Sequence, residues 1–230
     1  MPQTAYPTLI DLGAWLQDAG FTAAAVANLD LETAAAAGVA TFEQATGRKM
    51  LAVSQTREFD LTAVNPRGVL DLRADMASLT SVTVSGPAQV LNTDMRLREP
   101  NASDRGLPFW ALQFARRFYP VVTYPQPSWA AIAVTGLWGY AATIPDDAWQ
   151  GMLVLAGLEL HPFLAQEFSH GALTYQEQDV TEHYGPDPMG SLRDNWRFVA
   201  FGPKELSGKP GGGGVVGLYK RVVFGAGGFM

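Results

Sequence analysis

The chain contains no cysteine. That removes disulfide bridges, thiolate metal sites and cysteine nucleophiles together. Charge is also sparse: Asp, Glu, Lys and Arg make up 17% of the 230 residues, and the net charge is −6. A protein that reads a nucleic-acid groove normally carries a basic patch or stripe. Here Lys and Arg number only 16 and are mostly scattered, which argues against groove reading. No apolar run reaches the ~18 residues a membrane helix needs. The best run, Gly151 to Leu160, is too short and carries Glu159. Met1-Pro2-Gln3-Thr4 offers no basic stretch leading into an apolar one, so no signal peptide is expected and the chain reads as a soluble intracellular product.

Catalytic patterns are missing as well. The three histidines are His161, His170 and His183. The segment His161 to His170 superficially resembles a metal box, but zinc ligation on one helix face needs histidines four apart. The spacing here is nine, with Pro162 between, so His161 reads as a cap or surface ring. No G-x-S-x-G nucleophile elbow occurs, and Ser169 beside His170 makes no triad. Asp146-Asp147 reads as the acidic first turn of a helix, where the dipole favours negative charge. Glu177 with Asp179 is a second carboxylate pair without a catalytic context. The glycine run 211–214 follows Lys209 instead of preceding a Lys, so it is a flexible linker and not a phosphate loop. No catalytic residue, cofactor or metal is expected.

Hydrophobic residues, at 47%, are ample for a packed core. Leu9, Leu12, Trp15 and Leu16 recur at helical spacing over 8–19, and Gly20 can end that helix. A second helix begins after Asn28 or Asp30 and carries Leu31, Ala35, Gly38, Phe42 and Ala45 as a stripe of mostly small residues. Gly47 supplies its left-handed end. From about 51 to 98 the period becomes two: strands are expected from Val53, at 68–72, at 81–84 and at 95–98, with a turn at Ser85-Gly86-Pro87. Pro108-Phe109-Trp110 is expected to open an apolar turn or short helix through Phe118. Trp129 to Thr135 reads as a strand, and 146–160 as a helix that Pro162 disrupts or kinks. A last helix is expected over 186–199 with Leu192, Trp196 and Val199 buried.

Arg116-Arg117, Arg96 with Arg98, and Lys220-Arg221 read as solvated pairs or as contacts for an acidic partner. Trp196, Tyr219, Phe224 and Phe229 flank the glycine-rich linker. An apolar tail beyond such a linker either docks on its own domain or buries against another chain.

Four short patterns follow one another in a distinctive order. They are Thr46-Gly47-Arg48 at a helix end, Thr56-Arg57-Glu58-Phe59-Asp60 on a strand, and Leu70-Asp71-Leu72 with Leu79-Thr80-Ser81-Val82-Thr83-Val84. The last is the element with Ile132, Val134, Gly136, Gly139 and Tyr140, ahead of Pro145 and Asp147. Together, over residues 8–160, they resemble the head–tail connector (adaptor) proteins of tailed bacteriophages. The resemblance implies an α+β fold, a helical connector framework with a β-rich insertion between the N-terminal and later helices. The parts would be residues 1–50 (helical), 51–140 (β-rich), 141–200 (helical, completing the core) and 201–230 (linker and C-terminal arm).

The resemblance implies a structural virion protein at the neck, assembled in the host cytoplasm. It would form a homo-oligomeric ring, about twelvefold, below the portal that extends the DNA channel and docks the stopper or tail. An acidic chain suits passing double-stranded DNA, which it would not bind sequence-specifically. The small-residue helix 31–45 and the loops of the β insertion are expected as complementary ring surfaces. Trp196, Tyr219, Lys220, Arg221, Phe224 and Phe229 are expected at portal or neighbour contacts. The alternatives are a tail terminator or minor tail protein, and a small hydrolase built around His161, Glu167 and His170.

Overall fold

Caps and glycines divide the chain into helices and strands much as local chemistry dictates. The structure is a computed structural model that describes residues 3–98, 102, 107–115, 131–169, 174–177, 180–183, 190–201, 215 and 218. It separates into two compact units. One comprises Tyr6–Gly47 with the chain from Pro145 onward, and the other comprises Arg48–Ile144 with Pro2–Ala5. The fold is α+β, with helices and a five-stranded antiparallel sheet.

In the helical unit, α1 (Leu9–Asp18) starts at a capping box. The Thr8 hydroxyl accepts from the Asp11 N–H, and the Asp11 carboxylate accepts from the Thr8 N–H. A short helix not anticipated from the sequence, α2 (Ala23–Ala27), is capped by Thr22. Asp30 caps α3 (Leu31–Thr46), its carboxylate accepting from the Thr33 N–H at 3.1 Å. At the far end Gly47 adopts φ 68°, a left-handed turn open to glycine at little strain.

The centre of this unit is α4 (Asp146–Ser169), which packs against α1, α3 and α5 (Gly190–Phe201). Residues 151–157 are buried on every side of the helix, so α4 shows almost no amphipathic stripe. It runs through Pro162 instead of breaking there. An interior proline costs about 3 kcal/mol. Leu160 and Leu164, at 4% and 1% exposure on either side of it, hold both halves of the helix in the core.

The small-residue stripe of α3 meets α4 within the chain, which corrects its assignment to a neighbouring copy. A Cβ built on Gly38 would lie 2.6 Å from both the Ala156 N and the Met152 O, so the helix backbones nearly touch. On α5, Trp196 and Ala200 are buried, whereas Val199 is 39% exposed, contrary to expectation. A hairpin of β6 (Thr174–Glu177) and β7 (Val180–His183) precedes α5.

In the β unit the strands are β1 (Val53–Phe59), β2 (Val69–Val84), β3 (Met95–Leu97), β4 (Phe109–Phe114) and β5 (Ile132–Trp138). Their order in the sheet is β1-β5-β2-β4-β3, with every pairing antiparallel. The segments expected at 68–72 and 81–84 are one strand of 16 residues. Its first part pairs with β4 and its second with β5, with register shifts between Asp71 and Met76 and again up to Ser81. At the first shift Arg73 takes φ 54°, and its N–H donates to the Asp71 carboxylate at 2.9 Å.

The stretch after Pro108 is a strand, not a turn or short helix: β4 is held between β2 and β3, and pairing on both edges decides an ambiguous apolar run. Leu70, Leu72, Met76, Val82, Leu112, Ile132, Val134 and Trp138 form the core of this unit.

Gly38→Ala should lower the stability of the chain by about 1–3 kcal/mol, because α4 backbone atoms must move aside. Denaturant unfolding checks this. An unchanged midpoint would mean that α3 and α4 are not in such close contact.

Candidate assembly site

The three later sequence signatures lie on, or at the end of, strands of one sheet. Val53–Phe59 pairs residue for residue with Trp138–Ile132. Thr56 and Thr135 share a hydroxyl hydrogen bond at 2.8 Å. The Arg57 guanidinium lies 4.2 Å from the Trp138 ring centre, the Phe59 ring stacks on the same indole, and burial lowers the Arg57 pKa. The Trp138 indole N–H donates to the Gln55 carbonyl at 3.0 Å. On β5 the burial alternates, so Ile132, Val134, Gly136 and Trp138 face the core.

Both glycines of the β5 element are required by neighbouring backbone. A side chain at Gly136 would strike the Ser78 carbonyl oxygen, where β2 shifts register. Gly139 has φ 146°, and a Cβ there would sit 2.6 Å from the Ala52 Cα. This close approach is fastened by backbone hydrogen bonds from Tyr140 N to Lys49 O at 2.8 Å and from Ala52 N to Ala141 O at 2.9 Å.

At the same point Arg48 Nη1 donates to Asp75 Oδ2 at 2.8 Å. The Asp75 side chain is 4% exposed and that of Arg48 17%. The Tyr140 ring centre lies 5.3 Å from the same guanidinium. The arginine of the first signature and the tyrosine of the last therefore meet over a carboxylate on the strand between them.

Two surfaces stand out from the rest. On the β unit, a cleft of about 360 Å³ is lined by Arg67, Arg96 and Arg98 with Asn65 and Gln113. Arg96 and Arg98 alternate on β3 and its end, so both point to one face. Arg96 Nε and Nη2 both donate to Gln113 Oε1, at 3.1 and 2.8 Å. Arg98 lies 5.2 Å from the Trp110 ring centre. The Asn65 carboxamide oxygen accepts from the N–H groups of Arg67 and Val69 and shapes the loop that carries Arg67.

On the helical unit, a groove of about 640 Å³ runs between α1, α2 and the start of α3. Leu9 and Ile10 line it at 45% and 74% exposure, and Asp30 and Glu32 lie on it as well.

Of the contact residues expected from sequence, Trp196 is 5% exposed, with its indole 5.2 Å from that of Trp15 inside the helical unit. Tyr219, Lys220, Arg221, Phe224 and Phe229 lie outside the described residues, as do Arg116, Arg117, His170 and Asp179. His161 is buried within α4 at 5% exposure and is neither a cap nor a surface ring. Asp147 accepts from the Ala148 N–H in the first turn of α4. Among the described residues no group of three His, Asp or Glu could hold a metal ion, and no helix is long and apolar enough to cross a membrane.

No family model and no curated protein matches the chain. A comparison with solved structures finds similarity to a chain in the neck of an empty GTA particle computed with C6 symmetry. The identity is 16% and the TM-score 0.39, over 85% of this chain and 93% of that one.

Arg48→Met should cost about 3 kcal/mol, because it removes the Arg48 cation from the buried Asp75 carboxylate. Adding Asp75→Asn should recover much of that loss. A double variant no more stable than the single one, by denaturant midpoint, would contradict the pairing.

Proposed function

We propose that this chain is a structural component of a phage-like particle, a head–tail connector that forms a ring at the neck. The observation that carries the reading is the convergence of the ordered sequence signatures. Taken separately, the four patterns are short. In the β unit their residues are partners: Arg57 and Phe59 pair with Val134 and Ile132, Leu79 and Val82 pair with Gly136 and Val134, and Arg48 meets Tyr140 at Asp75. Residues that act on one another constrain one another, so their joint occurrence is a single composite signature.

In this reading the chain assembles as a ring of about twelve copies below the portal, with a heterologous interface that closes. It lengthens the DNA channel and offers a docking surface to the stopper or tail. Its role is to hold shape and make contacts, without catalysis or cofactor. Double-stranded DNA passes without sequence-specific binding, consistent with the net charge of −6. The arm within 201–230 contacts the portal or a neighbouring copy.

The test is native mass spectrometry with negative-stain microscopy of the purified chain, alone and mixed with portal rings from its own particle. A ring of about twelve copies on the portal is expected. A chain indifferent to portal, or a sixfold ring formed without it, would overturn the connector reading in favour of a tail terminator.

A further inference from the structure

We infer that the three-arginine cleft on the β unit of one copy receives the acidic rim of the α1–α3 groove on the next copy. The inference rests on the ring reading and adds to it the two surfaces that would meet. The cleft comes first. Arg67, Arg96 and Arg98 share one concave surface, and among the described residues none of them forms an ion pair. Two are already aimed, Arg96 by Gln113 and Arg98 by the Trp110 ring. Like charges gathered around one cleft repel each other, and an incoming carboxylate relieves that repulsion. Guanidinium groups held in fixed orientation also lose little freedom when they pair with carboxylates.

The division of charge between the units points to a second copy as the source of those carboxylates. Residues 48–144 carry ten Lys and Arg against seven Asp and Glu, a net +3. The rest of the chain carries six against fifteen, a net −9. Each copy thus presents one cationic and one strongly acidic unit, and copies placed head to tail bring opposite signs together.

Within the acidic unit, the α1–α3 groove combines charge with apolar area that can be buried. Ile10 and Leu9 are exposed along it, and Asp30 and Glu32 line it at the start of α3. Hydrogen bonds from Thr33 lower the Asp30 pKa, so that carboxylate is charged at neutral pH. Because cleft and groove are different surfaces, the contact is heterologous and propagates from copy to copy until a ring closes.

Two full-length variants test it by sedimentation and native mass spectrometry. Arg96→Glu with Arg98→Glu reverses the cleft. Asp30→Asn with Glu32→Gln neutralises the rim without making it cationic, and Asn preserves the helix cap. Wild type should self-associate as concentration rises, and salt should weaken that association. Each variant alone should remain monomeric.

An equimolar mixture should form one-to-one dimers and stop there, since only one intact cleft and one intact rim can meet. Dimer formation also shows that both variants are folded. The inference is overturned if wild type stays monomeric at every concentration, if either variant assembles like wild type, or if the mixture yields no dimer.

Binding to portal rings separates this contact from the reading it rests on. If both single-surface variants assemble on the portal like wild type, the contact is wrong and the connector reading stands. If the mixed dimer forms but no form of the chain binds portal, the contact stands and the connector reading fails.

Discussion

Asp75 places a carboxylate inside the β unit with its side chain 4% exposed, and a buried charge has to be matched. Arg48 matches it, and that requirement organises much of the sheet around it. Arg48 directly follows Gly47, whose left-handed turn ends α3. The Asp75 carbonyl accepts from the Gly139 N–H at 2.9 Å, and Tyr140 then covers the guanidinium. Gly139 has to be glycine because its φ of 146° and the neighbouring Ala52 leave no room for a side chain. One ion pair therefore ties the start of the β unit to β2 and to the end of β5.

The sequence was most legible where the determinant is local. The Asp30 cap, the Gly47 terminus, the alternation on β5 and the turn at Ser85-Gly86 all follow from side chains acting within a few residues. It was least legible where distant pairing decides. Phe109-Trp110-Ala111-Leu112 suits a buried helix turn as well as a strand, and only the pairing with β2 and β3 makes it a strand. Val69–Val84 looked like two segments because the residues between shift register, and a bulge hides period two. Pro162 signals a disruption or kink, but burial of Leu160 and Leu164 on either side of it keeps the helix running.

The candidate surfaces were only partly visible in the sequence. Arg96 with Arg98 could be noticed as a pair, yet Arg67 joins them only because the Asn65 loop and β3 lie at the same part of the sheet. The small residues of α3 suit a surface for a neighbour as far as sequence goes, but close approach of α4 accounts for them. Trp196, read as a contact, is held against Trp15. Helix-packing residues and interface residues share one composition, and burial is what separates them. Charge told the same story: a net of −6 concealed a cationic unit beside a more acidic remainder.

The most direct measurement is an electron cryomicroscopy reconstruction, at the neck, of phage-like particles purified from cells that express this chain. The account predicts a closed ring of this chain directly below the portal, with the Arg67–Arg96–Arg98 cleft of each copy against the α1–α3 groove of the next. A neck in which the chain is absent, or a ring in which both surfaces face solvent, would contradict it.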